Sequence, residues 1–112
     1  IQDDSYIELY NVKSEFEGEN NKILYVSADR GIYNQQYETI ELIENVVILD
    51  ELKNKTSTNK AVIELNIKKI TLLEEVVSVT SKAYISSNSS ILDELNNTIT
   101  YLGNVKAQIE NE

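Results

Sequence analysis

Ala28-Asp29-Arg30-Gly31-Ile32-Tyr33, followed by Ile40-Glu41-Leu42 and Asn45-Val46, is the stretch on which the fold turns. Its first half returns as Thr58-Asn59-Lys60-Ala61-Val62-Ile63 and again as Thr80-Ser81-Lys82-Ala83-Tyr84-Ile85. Its second half returns as Ile70-Thr71-Leu72 with Glu75-Val76, and as Ile99-Thr100-Tyr101 with Asn104-Val105. The first two units match at a fixed offset of 30 residues. A period of this size indicates one supersecondary unit, copied and stacked.

The segment 62–79 alone is ambiguous, because Val62, Leu65, Leu72 and Val76 also suit one face of a helix. Strands are favoured by the alternation of Ile63, Leu65 and Ile67 with Glu64, Asn66 and Lys68. The dominance of Ile, Val, Thr and Tyr suits a pleated, half-buried surface. In the matching segment 28–49, Gly31 and the Asn34-Gln35-Gln36 cluster interrupt any long helix.

Each unit therefore reads as strand, polar turn, strand. Leu24–Tyr33 leads through Asn34–Gln36 into Tyr37–Leu42, and the chain resumes at Val46–Leu49. The residue pairs before the valines, Glu44-Asn45, Glu74-Glu75 and Gly103-Asn104, sit where an alternating strand needs a bulge or tight bend. Asp50–Ser57 reads as a charged loop and Glu17–Asn21 as a turn. Tyr6–Phe16 reads as an opening strand. The third unit carries seven extra residues between its boxes, within Ser86–Asn97; Ser86–Ser90 reads as an exposed loop and Ile91–Leu95 as a helical turn or extra strand. No proline interrupts the ladders, and the short connections predict antiparallel neighbours. The expectation is an all-β chain of repeated hairpins, with residues 1–112 as a single domain.

Composition removes several kinds of function. A net charge of −9 disfavours nucleic acid and anionic membrane as partners, since both need a basic face. The chain holds no histidine and no cysteine. That removes the usual nucleophile sites, disulfides and thiolate zinc sites. Adjacent carboxylates occur at Asp3-Asp4, Asp50-Glu51, Glu74-Glu75 and Asp93-Glu94, but strand neighbours point to opposite faces. Solvated surface is their plainer role. Asp93-Glu94 with Asn96 and Asn97 is a weak echo of a calcium loop. The expectation is no enzyme, no metal and no cofactor. The chain begins at Ile1 and has no stretch of about 18 or more apolar residues to span a bilayer; a signal peptide or anchor is an expectation for the segment upstream.

The apolar columns carry the main functional signal. Alternation places Leu24, Val26, Ala28, Tyr33, Ile63 and Ile85 from the first boxes on one face. Ile40, Leu42, Val46, Ile48, Ile70, Leu72, Val76, Ile99, Tyr101 and Val105 join them from the second. Glu41, Glu44, Thr71, Glu74 and Thr100 point outward. The same residues suit a filled core between two sheet faces or an open apolar trough, and spacing does not separate the two. Arg30, Lys60 and Lys82 share one position; they form either a solvated column or one that meets acidic ligand groups. The first and second boxes are expected to form facing walls.

The run at 24–34 and the Thr39–Ile48 segment resemble the OstA-like family of lipopolysaccharide-transport proteins. The family unit is an Ala-Asp-basic-Ala-x-Tyr strand, a turn, and a Leu-x-Gly-Asn-Val strand. Leu102-Gly103-Asn104-Val105 keeps that last form, whereas the second unit has Glu74-Glu75-Val76. The resemblance covers about residues 5–109 and is greatest to the periplasmic domain of the LptC branch, with the LptA branch as a close alternative. It implies a twisted, half-open antiparallel β-jelly roll, tethered in the periplasm to the inner membrane by an N-terminal helix outside this chain. It also implies that acyl chains of lipopolysaccharide lie in the trough, and that lipid passes from an inner-membrane ABC transporter to an LptA-like bridge, on the way to the outer membrane of a Gram-negative cell. The folds would join through edge strands, here carrying Ile7, Leu9, Leu102, Val105, Ala107 and Ile109. The competing expectation is a structural or adhesive β-repeat module with a closed core and only a protein partner.

Overall fold

A computed structural model describes residues 6–17, 21–96 and 98–110. The Asp3-Asp4 pair, the middle of the turn expected at 17–21, and Asn97 lie outside them. Ten strands follow in order: β1 (Tyr6–Glu17), β2 (Ile23–Asn34), β3 (Thr39–Leu49), β4 (Lys55–Glu64), β5 (Lys69–Leu72), β6 (Val76–Val79), β7 (Ala83–Ser87), β8 (Ser89–Asp93), β9 (Thr98–Leu102) and β10 (Lys106–Ile109). Every pairing is antiparallel. The sheet runs β1-β2-β3-β4 and then forks. One arm continues β5-β8-β9. The other continues β6-β7-β10.

The fork has a local cause. On β3, Ile43 and Val46 face Lys60 and Thr58 of β4, so Glu44 and Asn45 oppose the single residue Asn59. The same two residues shift the register against β2 between Ser27 and Arg30. Further along, the chain breaks at 73–75 between β5 and β6, and at 103–105 between β9 and β10. Asn45, Glu75 and Asn104 hold φ of 53°, 43° and 48° in the matching column, and Gly103 holds 79°. Left-handed backbone at a bulge bends the strand and increases its twist. Gly and Asn adopt that conformation most readily, which explains the Gly-Asn-Val form of the motif.

The bulges lie side by side across the sheet and divide it into two layers. One holds residues 6–10, 30–34, 39–43 and 60–64 with β5, β8 and β9. The other holds 12–17, 23–28, 46–49 and 55–58 with β6, β7 and β10. The layers fold onto one another, because Leu42, Ala61, Ile63, Ile70, Leu72 and Leu92 of the first form one cluster with Leu24, Val26, Val46, Ile48 and Val76 of the second. Nothing closes the strand path into a barrel, and the result is a half-open, all-β jelly roll. Its extents of 59 × 29 × 23 Å reflect the long hairpins β1–β4.

Each bulge is pinned differently. Asn45 Nδ2 donates to Asp29 Oδ2 at 2.8 Å, so the Asp of the first box holds the Asn of the second. At the next, Thr58 Oγ1 donates to the carbonyl of Glu74, and Leu73 N donates to Lys60 O at 2.9 Å. At the last, Asn88 N donates to Gly103 O at 2.9 Å. The hairpin turns use short polar caps. Asn34 Oδ1 accepts from Gln36 N and Tyr37 N, and Asp50 Oδ1 accepts from Leu52 N and Asn54 N.

Three expectations are corrected. The third copy of the first box is not Thr80–Ile85: Ser81 and Lys82 form the turn of the β6–β7 hairpin, whose ends Thr80 Oγ1 caps by accepting from Lys82 N and Ala83 N. The true copy is Ser87-Asn88-Ser89-Ser90-Ile91-Leu92, because Ser90 pairs with Tyr101 as Gly31 pairs with Leu42 and Ala61 with Leu72. The extra residues therefore vanish, and the second offset is one residue shorter than the first. The expected loop at 86–90 falls on β7 and β8 except for the exposed bend at Asn88, and Ser90 is fully buried. Ser89, not Lys82, stands with Arg30 and Lys60. Likewise, β4 begins at Lys55, inside the expected 50–57 loop. Finally, the first and second boxes are not facing walls. They pair edge to edge in one sheet, and the bulges make the walls by bending every long strand across its middle.

Gly103 tests this bend. A Cβ there would lie 2.7 Å from Asn88 Nδ2, on backbone that already favours glycine. Gly103→Ala is expected to lower unfolding free energy by about 1–2 kcal/mol. Glu75→Gly, which relieves a left-handed Glu, is expected to stay within about 0.5 kcal/mol of wild type. Urea denaturation measures both.

Candidate functional site: an open trough between two layers

The inner face is a set of direct cross-strand rungs. In the first layer, Ile7, Tyr33, Ile40, Ile63, Ile70, Leu92 and Ile99 stand side by side, and next to them run Leu9, Gly31, Leu42, Ala61, Leu72, Ser90 and Tyr101. In the second layer, Ser14, Val26, Ile48, Thr56, Ser78, Ile85 and Ala107 make the matching rung. Directly opposed residues share a face, so the members of the expected inward set that stand on these rungs share one. Glu41, Thr71 and Thr100 share the outer face with Ile32, Val62 and Ile91.

Burial varies along these rungs. Leu42 is 1% exposed, and Leu72, Ile70, Val46 and Val76 are fully buried, so the middle of the molecule is packed core. Leu24, Val26, Ala28, Ile48 and Ile63 are buried with them. Toward the end strands the same face opens. Tyr33, Ile40, Ile85 and Tyr101 are half-buried. Ile99 is 59% and Val105 49% exposed. Val105 lies beyond β9, where no further strand covers it, although Val46 and Val76 in its column are buried. Ile7 and Leu9 lie on β1, Leu102 on β9, and Ala107 and Ile109 on β10. These are the terminal strands, each with one neighbour in the sheet.

A cavity of about 470 Å³ opens between the layers at one end. Ile23, Leu24, Ile48 and Leu52 line it from the second layer and its turn, with Leu92, Ile99 and Tyr101 opposite. Leu24, Ile48, Ile99 and Tyr101 are thus brought together as the repeat suggests. Ile23, Leu52 and Leu92 are additions. Leu92 was legible in principle, since it occupies the Tyr33 and Ile63 position of the true third copy. Leu52 carried no signal, being a single apolar residue in a charged turn.

Charges ring the mouth: Lys22, Asp50, Glu51, Lys55, Asp93 and Glu94. Glu51 Oε1 accepts from Ile23 N at 3.1 Å, which ties the start of β2 to the β3–β4 turn. Hydrogen bonds from Asn96, the side-chain one foremost, hold the Asp93 carboxyl below its ordinary range. Burial pushes Glu94 up, with Asp93 adding to this and Lys22 opposing it. The site therefore has an aliphatic interior and a mixed, acid-rich rim. Burial of chains drives binding to such a surface, at about 25 cal/mol per Å². Among the described residues, no group of His, Cys, Asp and Glu is arranged to hold a metal, and no helix is long and apolar enough to cross a membrane.

The chain is thus an unclosed two-layer β-jelly roll with an aliphatic groove between its layers. The model of the LptC-related lipopolysaccharide-assembly family matches residues 1–110. The chain belongs to that family, whose role is lipopolysaccharide transport, generally non-catalytic, on the periplasmic side of the membrane. No curated protein matches the chain.

Glu94 yields a pH test. Its ionised form is disfavoured by folding, so it subtracts stability at neutral pH, and that loss disappears as pH falls through the raised folded value to below the unfolded one. Glu94→Gln is expected to raise the urea midpoint at pH 7, with the difference from wild type closing by about pH 4.

Proposed function

We propose that the domain takes acyl chains of lipopolysaccharide into the groove between its two layers and passes the lipid on without chemistry. The observation that carries this reading is the cavity between the layers, lined by Ile23, Leu24, Ile48, Leu92 and Ile99. An opening between the layers favours an open trough over a closed core. The acid-rich rim offers little attraction to an anionic head group, so chain burial supplies the affinity. A carrier that must release its cargo is suited by that arrangement.

In this reading the domain is held at the inner membrane. It receives lipid from the ABC transporter and delivers it to an LptA-like bridge. The terminal strands β1, β9 and β10 leave backbone donors and acceptors available, and adding a partner strand to such an edge continues the sheet. Ile7, Leu9, Leu102, Val105, Ala107 and Ile109 would then continue the inner and outer faces into the neighbouring fold. The fully buried Leu42, Val46, Ile70, Leu72 and Val76 support the trough floor, and lipid contact falls to the opened ends of the rungs.

Photo-crosslinking in cells producing lipopolysaccharide tests the assignment. A crosslinking residue at Leu24, Ile99 or Tyr101 is expected to capture lipopolysaccharide, and one at Thr71 or Thr100 on the outer face is expected to capture little. Equal capture at both sets would contradict the reading.

A further inference from the structure

The groove contains one polar feature that its packing does not require. Tyr101 Oη donates to Ser78 Oγ at 2.9 Å, and Ser78 Oγ lies 2.9 Å from Thr56 Oγ1. The three residues come from β9, β6 and β4, and therefore from both layers. All three line the cavity. Ser78 is 3% exposed. Thr56 and Ser78 stand in the rung between the aliphatic Ile48 and Ile85.

A count of protons gives this chain its meaning. Three hydroxyls carry three protons. The Tyr101 proton goes to Ser78. The Ser78–Thr56 bond uses the proton of one of its two partners. Whichever donates, the other keeps a proton with no acceptor among the described residues, beside the aliphatic surface of Leu24, Ile48, Leu92 and Ile99. Ser78 is buried and Thr56 half-buried, so that proton lies at an aliphatic cavity wall, where a ligand oxygen accepts it once water is displaced. An unsubstituted hydrocarbon chain cannot do so.

We propose that the Thr56–Ser78–Tyr101 chain selects among lipid chains, favouring an acyl chain that bears a hydroxyl or ester oxygen part-way along its length over a plain saturated one. This rests on the reading of the cavity as an acyl-chain site and adds the chemical class that it prefers. The cross-layer Tyr101–Ser78 bond also fixes the distance between the walls at that point, so the oxygen is read at a set depth.

Competition against an apolar fluorophore bound to the intact domain tests the inference. The competitors are tetradecanoic acid, its monohydroxy isomers and their acetate esters. The quantity read is the affinity ratio of substituted to plain acid within each protein, so a general change in affinity cancels. In wild type at least one isomer or its ester is expected to bind about 2- to 10-fold more tightly than the plain acid. A preference for the free hydroxyl or for the ester identifies which oxygen is read. The ratio is expected to fall to about 1 in Ser78→Ala and in Thr56→Val, and to persist in Ser57→Ala on the outer face of the same strand. A wild-type ratio of about 1 for every isomer, or a ratio unchanged in both inner variants, would overturn the inference. If the wild-type ratio is confirmed and an inner variant does not fold, Tyr101→Phe takes its place. If no acid displaces the fluorophore, the acyl-chain reading itself fails, and this inference fails with it.

Discussion

The structure depends on a line of left-handed bulges. A flat antiparallel sheet of these strands would expose one apolar face along its full width. Inserting one residue per strand at Glu44-Asn45, and again at 73–75 and 103–105, gives each strand a bend at the same height. The apolar face then closes on itself. Small buried residues follow the bends, Gly31, Ala61 and Ser90, and they let the layers approach. At Gly31 this is explicit, since an added Cβ would meet Val12 Cγ2 at 3.3 Å. Core, groove and open edges all follow from that one repeated irregularity.

The bend also separates two tasks within one apolar surface. Near the middle of the rungs, Leu42, Ile70 and Leu72 of one layer and Val26, Val46 and Val76 of the other are buried in one cluster. At the β8–β9 and β6–β7 arms the layers diverge. There Ile99 is exposed and Tyr101 and Ile85 are half-buried, whereas Leu92, Ser78 and Ser90 stay covered. The packed centre supports the fold, and in the proposed function lipid contact falls to the ends.

Most of the strand pattern was legible in sequence, and for a physical reason. Alternation of Ile, Leu and Val with Glu, Thr and Lys fixes which side of a strand is buried, and the 30-residue offset transfers that reading between copies. The bulges were legible too, because a Gly-Asn or Glu-Asn pair before a valine breaks strict alternation. The third copy was misread at Thr80–Ile85, where Lys82-Ala83 imitates Lys60-Ala61. The real copy, Ser87–Leu92, has serines at the positions of Ala28 and Gly31, and a serine run resembles a loop when judged by polarity. Its burial comes from small size at the crowded bend, and size carries no period. The walls of the groove were hidden for a related reason: which strand halves face each other depends on the direction of the bend, whereas sequence gives only its location.

The central claim is that an apolar chain lies between the two layers, inside the bend. Paramagnetic relaxation measured by NMR on the intact domain, with a fatty acid spin-labelled near its methyl end, tests it most directly. The account predicts strong broadening at Leu24, Ile48, Ser78, Leu92 and Ile99, with little at Ile32, Val62 and Ile91 on the outer face. Broadening confined to the outer face, or spread evenly over both, would contradict it.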